Sequence, residues 1–388
     1  MTTERLYYSD CYLREFQANV IDTSADGHLV YLDRSAFYPT SGGQLFDLGT
    51  MNGIAVTEVV DEEERVAHRL AEPLTSNVVT AVIDWQRRYD LMQQHTGQHL
   101  LSAVLEELFQ CATVSVHMGA EQSTIDVAAT SVSAEQLEQA ELRCAELVGE
   151  ARPVHIRFED AAEVEGLRKA SARTGTLRIA EIEGTDRSAC GGTHVRNTAE
   201  IGPVLTGKLD KMRGNTRIEF VCGERALRRS RTDHLLLAAI GRSLSAAPEQ
   251  FLSMIDGMTE KNRTLEKERL RLATELARRE GQELYQATEP GGSGIRKHTA
   301  RGPIDDAVRT RAQAFVASPR AVYLAICDQP PSILLAASAD SGVHAGNQLK
   351  AALSTVGGRG GGNQGLAQGS LPDMSTLETV IKTLQGDN

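Results

Sequence analysis

The sequence lacks an excess of basic residues, a long apolar run and a dense cysteine pattern. Its 388 residues carry a formal net charge of −11, which argues against a protein coated with cations for general packaging of nucleic acid. No apolar run approaches the ~20 residues needed to cross a bilayer, and the first residues do not have the charged and then apolar character of a signal peptide. We therefore expect a cytoplasmic protein with no membrane partner.

The six cysteines are spread along the chain without a CxxC pair. This spacing is not that of a small disulfide-stapled domain, so we expect reduced thiols. A cysteine that binds a ligand has to be recognised from its neighbours.

The periodicity of apolar residues predicts an α+β protein. Residues 1–85 form short alternating segments separated by turn dipeptides such as Asn52-Gly53, which favours a small β-barrel module. Helical spacing begins at Trp85, and a capping-box pattern begins at Ser133, so residues 86–225 are predicted to form an α+β domain. Three strands are predicted within it, at 153–158, 176–182 and 215–222.

Beyond residue 225 the composition becomes helical. Residues 226–290, with a break at Pro248, are predicted to form a helical hairpin or a short coiled coil, because apolar residues at heptad spacing are interrupted by polar ones. This track also predicts a homodimer contact. Residues 291–388 are predicted to form a C-terminal α/β domain. Its predicted elements are strands at 321–327 and 332–338, helices around 344–355 and 375–385, and a glycine-dense loop at 357–369.

The chemically most informative segment begins with His95-Thr-Gly-Gln-His99. Two histidines four residues apart lie on one face of a helix, with Cβ atoms about 5–6 Å apart, so both imidazoles can reach one metal ion. Alone, such a pair is more often structural than metal-binding. Because Thr96 stands where a metalloprotease helix carries its glutamate, peptide cleavage of the HExxH type is not expected.

A second segment, Cys190-Gly-Gly-Thr-His194, supplies a thiolate and an imidazole on a loop that two glycines allow to turn tightly. Together the two segments offer three nitrogen donors and one sulfur donor, a set that suits zinc. The two segments lie about 90 residues apart in the sequence, whereas the ligands of a zinc finger are separated by short loops. The spacing therefore predicts a zinc ion set into a pocket of a folded domain, held by His95, His99, Cys190 and His194.

A third segment, Phe37-Tyr-Pro-Thr-Ser-Gly-Gly-Gln44, combines a Gly-Gly turn with hydroxyl and amide side chains. By itself it is most simply a β-turn between strands. Beside a metal motif, the same groups form a candidate site for a small polar ligand.

These three segments together resemble the editing domain of alanyl-tRNA synthetases and its free-standing relatives, the AlaX proteins. The similarity continues through Asn197-Thr-Ala-Glu-Ile-Gly202 and Arg217-Ile-Glu-Phe-Val221 and covers about residues 5–225. Residues 357–368 resemble the glycine-rich segment of the DHH-associated domain of the same synthetases. The catalytic DHH triplet of related phosphoesterases is missing, since Leu235 follows Asp233-His234, and no class II synthetase motifs precede the editing portion, so aminoacylation is not expected.

The resemblance implies a zinc-dependent hydrolase that removes a wrongly attached amino acid from tRNA-Ala, chiefly serine, with glycine as a second candidate. It implies that Thr40 reads the seryl hydroxyl, with Ser41, Gly42 and Gly43 forming the substrate turn. Gln44 and Gln98 are candidate catalytic partners for the ester, the ribose or the water. Three protein ligands would leave zinc an open position for a water, whereas four would make zinc an ordering element, and the sequence leaves both open.

A basic segment is the predicted contact for tRNA. Residues 205–231 contain eight basic residues against three acidic ones, and they directly follow the metal loop. Although such a run is usually a solvated face, the resemblance favours phosphate contacts, with Lys208, Lys211 and Arg213 as candidates. Arg359 in the glycine-dense segment is a further candidate for tRNA binding. The resemblance implies that this C-terminal domain contacts tRNA or forms part of the homodimer interface together with the helical connector.

Two other functions compete with this hypothesis. One is editing of Ser-tRNA-Thr, because threonyl-tRNA synthetases have an editing domain with a related pocket. The other is a non-catalytic tRNA-binding protein in which zinc is purely structural.

Overall fold

The computed structural model describes residues 2–385. Its contacts divide the chain into two compact units, one ending at Ser243 and the other beginning at Leu244. The finer division into four domains stays a prediction. Among the described residues, no helix is both long and apolar enough to cross a bilayer.

The N-terminal strands close into a six-stranded barrel, which confirms the predicted β-barrel. The strands of this region are β1 (Glu4–Arg5), β2 (Glu15–Thr23), β3 (Leu29–Leu32), β4 (Arg34–Ser35), β5 (Gly49–Met51), β6 (Ile54–Glu62), β7 (Arg65–Leu70) and β8 (Val78–Ile83). The order around the barrel is β2-β3-β7-β6-β5-β8. Asn52 and Gly53 have φ angles of 50° and 83°, as a two-residue hairpin between β5 and β6 requires. Apolar side chains fill the interior.

Helix α1 (Trp85–Phe109) follows β8 directly and forms the centre of the rest of this unit. Asp84 caps its start by accepting a hydrogen bond from the backbone N–H of Arg87 at 3.2 Å. Residues 91–105 are all buried, so the helix is covered on every side. A Cβ on Gly97 would lie 2.2 Å from Sγ of Cys222. Glycine is therefore required where the helix meets the strand that ends at Cys222.

Two antiparallel sheets and a second helix contact α1. The elements are β9 (Thr113–Met118), β10 (Ser123–Val127), α2 (Ala134–Gly149), β11 (Val154–Asp160), β12 (Thr176–Ile182), β13 (Asp186–Ala189), β14 (Val204–Lys211), β15 (Thr216–Cys222) and α3 (Gly223–Leu244). One sheet has the order β14-β15-β10-β9 and the other β11-β12-β13. The predicted capping box of Ser133 and Gln136 starts α2, and the three predicted strands are present.

The second unit joins a long helix to a five-stranded sheet. Its elements are α4 (Phe251–Ala287), β16 (Arg296–Arg301), α5 (Asp306–Val316), β17 (Ala321–Cys327), β18 (Ser332–Ala337), α6 (Ala345–Ser354), β19 (Arg359–Gly362), β20 (Leu366–Ser370) and α7 (Met374–Gln385). The sheet order is β16-β17-β18-β20-β19. The predicted helical break at Pro248 is present, whereas β16 and α5 were not predicted. Of the apolar heptad residues of α4, Phe251 is buried, whereas the five that follow it are exposed: Ile255, Met258, Leu265, Leu272 and Leu276.

The prediction of a glycine-dense loop at 357–369 was wrong, because this segment forms the strands β19 and β20. Glycine is needed here because the strands and α6 approach one another closely, and not because the segment forms a loop. A Cβ on Gly362 would lie 2.2 Å from the carbonyl oxygen of Leu366, and one on Gly369 would lie 2.4 Å from a methyl group of Leu353 in α6. Larger residues at these positions would separate the strands or lift the helix from the sheet.

Candidate metal centre

Two histidines of α1 point to the same side of the helix. The ring centroids of His95 and His99 are 5.2 Å apart, and both side chains are buried. This is the arrangement that their four-residue spacing predicted.

The loop after β13 brings the second pair to this face of α1. A Cβ on Gly192 would lie 2.0 Å from Cε1 of His95, so only glycine allows the loop to approach the helix this closely. The backbone N–H of Val195 donates to Oγ1 of Thr96 at 3.1 Å, which fastens the loop to α1 just beyond His194.

The four predicted ligands meet at one point. Their candidate ligand atoms, from His95, His99, Cys190 and His194, all lie within 4.8 Å of one another. Sγ of Cys190 is 3.3 Å from Nε2 of His95 and 3.4 Å from Nε2 of His194. Tetrahedral zinc, with a Zn–S bond of about 2.3 Å and Zn–N bonds of about 2.0–2.1 Å, separates sulfur and nitrogen ligands by about 3.6 Å. The predicted convergence is confirmed, and these two sulfur–nitrogen distances and the donor set fit a zinc ion.

Each imidazole is oriented by a second contact. The Nδ1 atoms face oxygen acceptors: Oε1 of Gln44 lies 2.7 Å from His95, Oδ2 of Asp186 lies 2.7 Å from His99, and Oγ1 of Thr96 lies 3.3 Å from His194. Metal-binding histidines typically hold their second ring nitrogen in this way. The contacts leave Nε2 of each ring available to a metal.

The electrostatics of the cluster favour a thiolate beside a neutral imidazole. Burial alone would raise the pKa of the Cys190 thiol, but its interactions with the imidazoles of His95 and His194, which include hydrogen bonds to the sulfur, outweigh burial and hold that pKa well below its usual range. Burial lowers the pKa of His194 to about 3. These protonation states are the ones that coordinate a metal ion.

The third histidine is paired with a buried carboxylate. Burial opposes a charge on His99, but its hydrogen bond to Asp186 raises the pKa of the imidazole to about 9. Burial likewise opposes ionisation of Asp186, yet His99 and Arg168 lower the pKa of this carboxyl to about 2. Asp186 therefore remains ionised at neutral pH and holds the ring of His99.

The Phe37–Gln44 turn carries Gln44 into the cluster. Nε2 of Gln44 donates to Oγ1 of Thr193 at 2.8 Å, and the backbone N–H of Thr193 donates to Oε1 of Gln44 at 3.1 Å. Sequence reasoning had assigned this side chain to the ester, the ribose or the water. Both of its amide atoms are instead engaged with His95 and Thr193, and the side chain is wholly buried.

A buried ion pair supports the base of the same turn. Oδ2 of Asp47 accepts the backbone N–H of Tyr38 at 2.6 Å, and Asp47 is paired with Arg88, the side chains of both residues being wholly buried. At the tip, Gly42 and Gly43 have positive φ angles. A Cβ on Gly43 would lie 3.0 Å from the carbonyl oxygen of Val116, so the tip fits closely against β9.

A cavity of about 620 Å³ opens beside the cluster, a size that suits a small-molecule group. Its walls include the cluster residues His95, His99 and Cys190, the turn residues Ser41 and Gly42, Tyr8, residues 113–116 of β9 and part of the segment between β11 and β12. Thr40 is exposed, and neither Thr40 nor His194 is among the lining residues.

Gln98 faces the cavity from α1 with one amide atom free. Its Nε2 donates to Oγ of Ser102 at 2.9 Å, and Oγ1 of Thr113 lies 2.8 Å from the same oxygen. These contacts fix the orientation of the amide. Its Oε1 has no protein partner within residues 2–385 and is not enclosed, so it is an acceptor available to a ligand.

Most of the predicted tRNA-binding segment is neutralised by nearby carboxylates. Lys208 lies 2.7 Å from Asp210. Four arginines of the segment form the pairs Arg217–Asp126, Arg225–Asp90, Arg228–Glu224 and Arg229–Asp233. Lys211 and Arg213, at the turn between β14 and β15, form no ion pair in the described part of the chain. Arg359 is exposed on β19 of the second unit.

Sequence reasoning missed Asp186, Thr96 and Tyr8. Asp186 stands four residues before Cys190, and a carboxylate beside a predicted ligand pair was a usable signal. Thr96 lies between the two histidines of α1, but its contact to His194 comes from the opposite segment. Tyr8 carried no signal, because only the tertiary fold brings it to the cavity.

The sequence is similar to several known proteins. Residues 177–219 match the family described as the threonyl and alanyl tRNA synthetase second additional domain. The chain is 32% identical to the alanyl-tRNA editing protein AlaX-L of Pyrococcus horikoshii over 94% of both chains. It is 30% identical to the alanyl-tRNA editing protein Aarsd1-B of Xenopus laevis over 69% of this chain and 70% of the relative. It is also 32% identical to the alanine–tRNA ligase of Korarchaeum cryptofilum over 95% of this chain and 43% of the ligase.

Proposed function

Because the chain belongs to the family of alanyl-tRNA editing proteins, we propose that it is a trans-editing hydrolase that deacylates mischarged tRNA-Ala. Its chief substrate in this proposal is Ser-tRNA-Ala, and Gly-tRNA-Ala is a second one. The observation that carries the proposal is the convergence of three histidines and one cysteine at the wall of a polar cavity. We assign the activity to the cytoplasm.

His95, His99, Cys190 and His194 are the residues that hold zinc in this proposal. A bound zinc ion supplies a Lewis acid beside the acyl group. Three of the four ligands border the cavity and the fourth does not, so the acyl group approaches the centre from one side. Gln44, Asp186 and Thr96 act through the histidines and are positioning residues.

Gln98 is the catalytic residue that we assign to the reaction. Its free Oε1 accepts a hydrogen bond from the attacking water, while its Nε2 remains bound to Ser102. An aminoacyl ester is already activated, so holding a water near the carbonyl carbon supplies much of the rate enhancement.

Selection of serine follows from the chemistry of two successive pockets. An alanine-activating pocket cannot strongly exclude glycine, and it discriminates poorly against serine, which differs by one hydroxyl. An editing pocket that binds this hydroxyl leaves its own polar groups unpaired when alanine enters, which discriminates by about 10⁴–10⁵. Ser41 lies at the cavity, with Gly42 and Gly43 shaping the turn, and the adjacent Thr40 is the second candidate for reading the hydroxyl.

Lys211 and Arg213 are the cations of the basic segment that we propose for tRNA contact. Three register pairs cross the sheet from β14 to β9: Lys211 pairs with Thr216, Thr216 with Val127, and Val127 with Thr113. Since neighbouring strands are about 4.8 Å apart, Lys211 lies roughly 14 Å across the sheet from Thr113, a residue of the cavity wall. The free cations therefore lie at the same end of the sheet as the cavity.

Lys208 and Arg359 are further proposed tRNA contacts. Lys208 has a nearby carboxylate, so its contribution depends on exchanging Asp210 for a phosphate. The exposed apolar track of α4 supports the proposed homodimer, because a solvated helix rarely keeps such a track without a partner.

The decisive experiment compares hydrolysis of Ser-tRNA-Ala and Ala-tRNA-Ala by the wild type and by the Cys190→Ala and His95→Ala variants. Cys111→Ala, which removes a buried thiol outside the cluster, is the matched control. We expect the two ligand variants to lose zinc and serine release, while the control retains both.

Circular dichroism and zinc content measured on the same samples separate loss of activity from loss of folding. Equal serine release by all the proteins would exclude a catalytic metal centre. If this equal rate is also no faster than the rate without protein, it would favour a tRNA-binding protein with structural zinc. Preferential hydrolysis of Ser-tRNA-Thr would identify the other editing reaction.

A further inference from the structure

A fifteen-residue connection between β11 and β12, residues 161–175, forms one wall of the cavity. Its two ends are closed by a hydrogen bond from the N–H of Ala161 to the carbonyl of Gly175 at 2.8 Å. Farther along, the N–H of Arg168 donates to the carbonyl of Arg187 in β13 at 2.8 Å. The connection is therefore attached to the strand that leads into the Cys190 loop.

The side chain of Arg168, which also lines the cavity, anchors the same connection. Its Nε donates to Oδ1 of Asp186 at 2.5 Å, and the other oxygen of this carboxylate holds His99. One buried carboxylate thus fixes both a predicted metal ligand and the connection. The charge of Arg168 is therefore paired with Asp186 inside the protein.

The next two cations of the connection have no such partner. Lys169 and Arg173 are exposed, both line the cavity that contains His95 and Cys190, and neither forms an ion pair within residues 2–385. Free cations beside this cavity are notable, because the chain is acidic overall and most cations of the basic segment, residues 205–231, form ion pairs with carboxylates. Two unpaired positive charges at the rim of a polar cavity favour an anionic ligand.

We propose that Lys169 and Arg173 bind the phosphodiester groups of the single-stranded 3′ end of tRNA. This inference rests on the proposed function, in which the ester on the terminal ribose lies at the metal centre. The nearest anionic groups of such a substrate are the phosphates of its last nucleotides, and the strand has to leave the cavity past its rim. The connection then acts as a clamp whose anchor, Arg168, is distinct from its two phosphate-binding side chains.

Contacts of this kind have a measurable signature. Each phosphate neutralised on a single strand changes the slope of log affinity against log salt concentration by about 0.7. Removing both cations is therefore expected to make the slope shallower by about 1.4.

The test uses the full chain with the paired substitution Lys169→Ala and Arg173→Ala. Arg69→Ala, which removes an exposed cation from the barrel strand β7, is the matched control. Binding of uncharged tRNA-Ala is measured from 50 to 200 mM salt, and hydrolysis is measured on Ser-tRNA-Ala and on seryl-adenosine, which has the ester and the base but no phosphate.

We expect the double variant to bind tRNA about tenfold more weakly at low salt, with the shallower slope, while the control keeps the wild-type slope. The double variant should also lose about tenfold in kcat/KM on Ser-tRNA-Ala and much less on seryl-adenosine. A wild-type salt slope, or equal losses on both esters, would overturn the phosphate assignment. If the wild type hydrolyses neither ester, the proposed function fails, while the binding measurement still decides the role of the two cations.

Discussion

Oε1 of Gln44 lies 2.7 Å from Nδ1 of His95, so one side-chain amide joins the Phe37–Gln44 turn to the face of α1 that carries two candidate metal ligands. The same amide donates to Thr193 in the Cys190 loop. Three segments that are distant in sequence therefore meet at Gln44. Its effect on the reaction is expected to pass through His95.

Substitutions of Gln44 distinguish two roles of this side chain, namely positioning the metal ligand His95 and contacting the substrate. Gln44→Met keeps the size of the side chain but removes the acceptor for His95, and such losses typically weaken metal affinity by 10–100-fold. Gln44→Glu restores an acceptor oxygen and is expected to recover most of the affinity. Zinc dissociation constants measured by competition with a chromophoric chelator test both variants.

Gln98→Met provides the contrast for this experiment. It removes the amide oxygen that faces the cavity without touching a ligand, so we expect a lower kcat and an unchanged zinc affinity. If Gln44→Met retains the wild-type zinc affinity and loses only kcat, then Gln44 contacts the substrate, as the sequence had predicted.

The two hydroxyls of the turn are expected to set the preference for serine. The double substitution Thr40→Val and Ser41→Ala should lower the ratio of Ser-tRNA-Ala to Ala-tRNA-Ala hydrolysis by about 5–30-fold, because a hydrogen bond to the seryl hydroxyl contributes about 1–2 kcal/mol. The two single variants then identify the residue responsible. We expect Ser41→Ala to reproduce most of the loss, since Ser41 lines the cavity and Thr40 does not.

Unchanged selectivity in the double variant would remove the turn from amino acid recognition. A loss confined to Thr40→Val would instead agree with the role implied by the family resemblance.

The sequence predicted those parts of the molecule that depend on local spacing. His95 and His99 were found because residues four apart share a helix face, and the barrel was found because dipeptides such as Asn52-Gly53 favour tight turns. Asp186 was missed although it stands close to Cys190 in the sequence, because its partner, His99, lies in a different element. The glycine-dense segment was misread because glycines signal a loop locally, whereas Gly362 is required by the close approach of a neighbouring strand.

A substitution of Gly97 tests how closely α1 packs against β15. In Gly97→Ala, the new Cβ would lie 2.2 Å from Sγ of Cys222, and overpacking of this kind costs about 1–3 kcal/mol of the free energy of unfolding. Adding Cys222→Ala removes the clashing sulfur and is expected to restore part of the stability. Chemical denaturation followed by circular dichroism measures both changes.

Gly257→Ala in α4 is the matched control, because a Cβ at this helical position meets nothing within 4 Å. It is expected to stabilise the protein by up to about 1 kcal/mol through helix propensity. If Gly97→Ala stabilises the protein to the same extent, the contact between α1 and Cys222 is looser than described.

The buried histidine of the barrel predicts a loss of stability in mild acid. His68 is wholly buried, with Nε2 2.8 Å from Oγ of Ser35 and Nδ1 3.1 Å from the carbonyl oxygen of Val30. Burial lowers the pKa of this imidazole from 6.5 to about 4. The unfolded chain takes up a proton as the pH falls through about 6.5, whereas the folded chain does not do so until about pH 4.

Between these values the unfolded state binds more protons, so the free energy of unfolding falls as the pH falls. From pH 7.5 to pH 5 the contribution of His68 is about 2 kcal/mol. Urea denaturation followed by the fluorescence of Trp85, the single tryptophan, measures it at both pH values. His68→Gln should reduce the loss by about this amount, while His117→Gln, which removes an exposed histidine, serves as the control. Equal pH dependence in the wild type and His68→Gln would show that His68 is protonated without unfolding, which its two hydrogen bonds and its complete burial oppose.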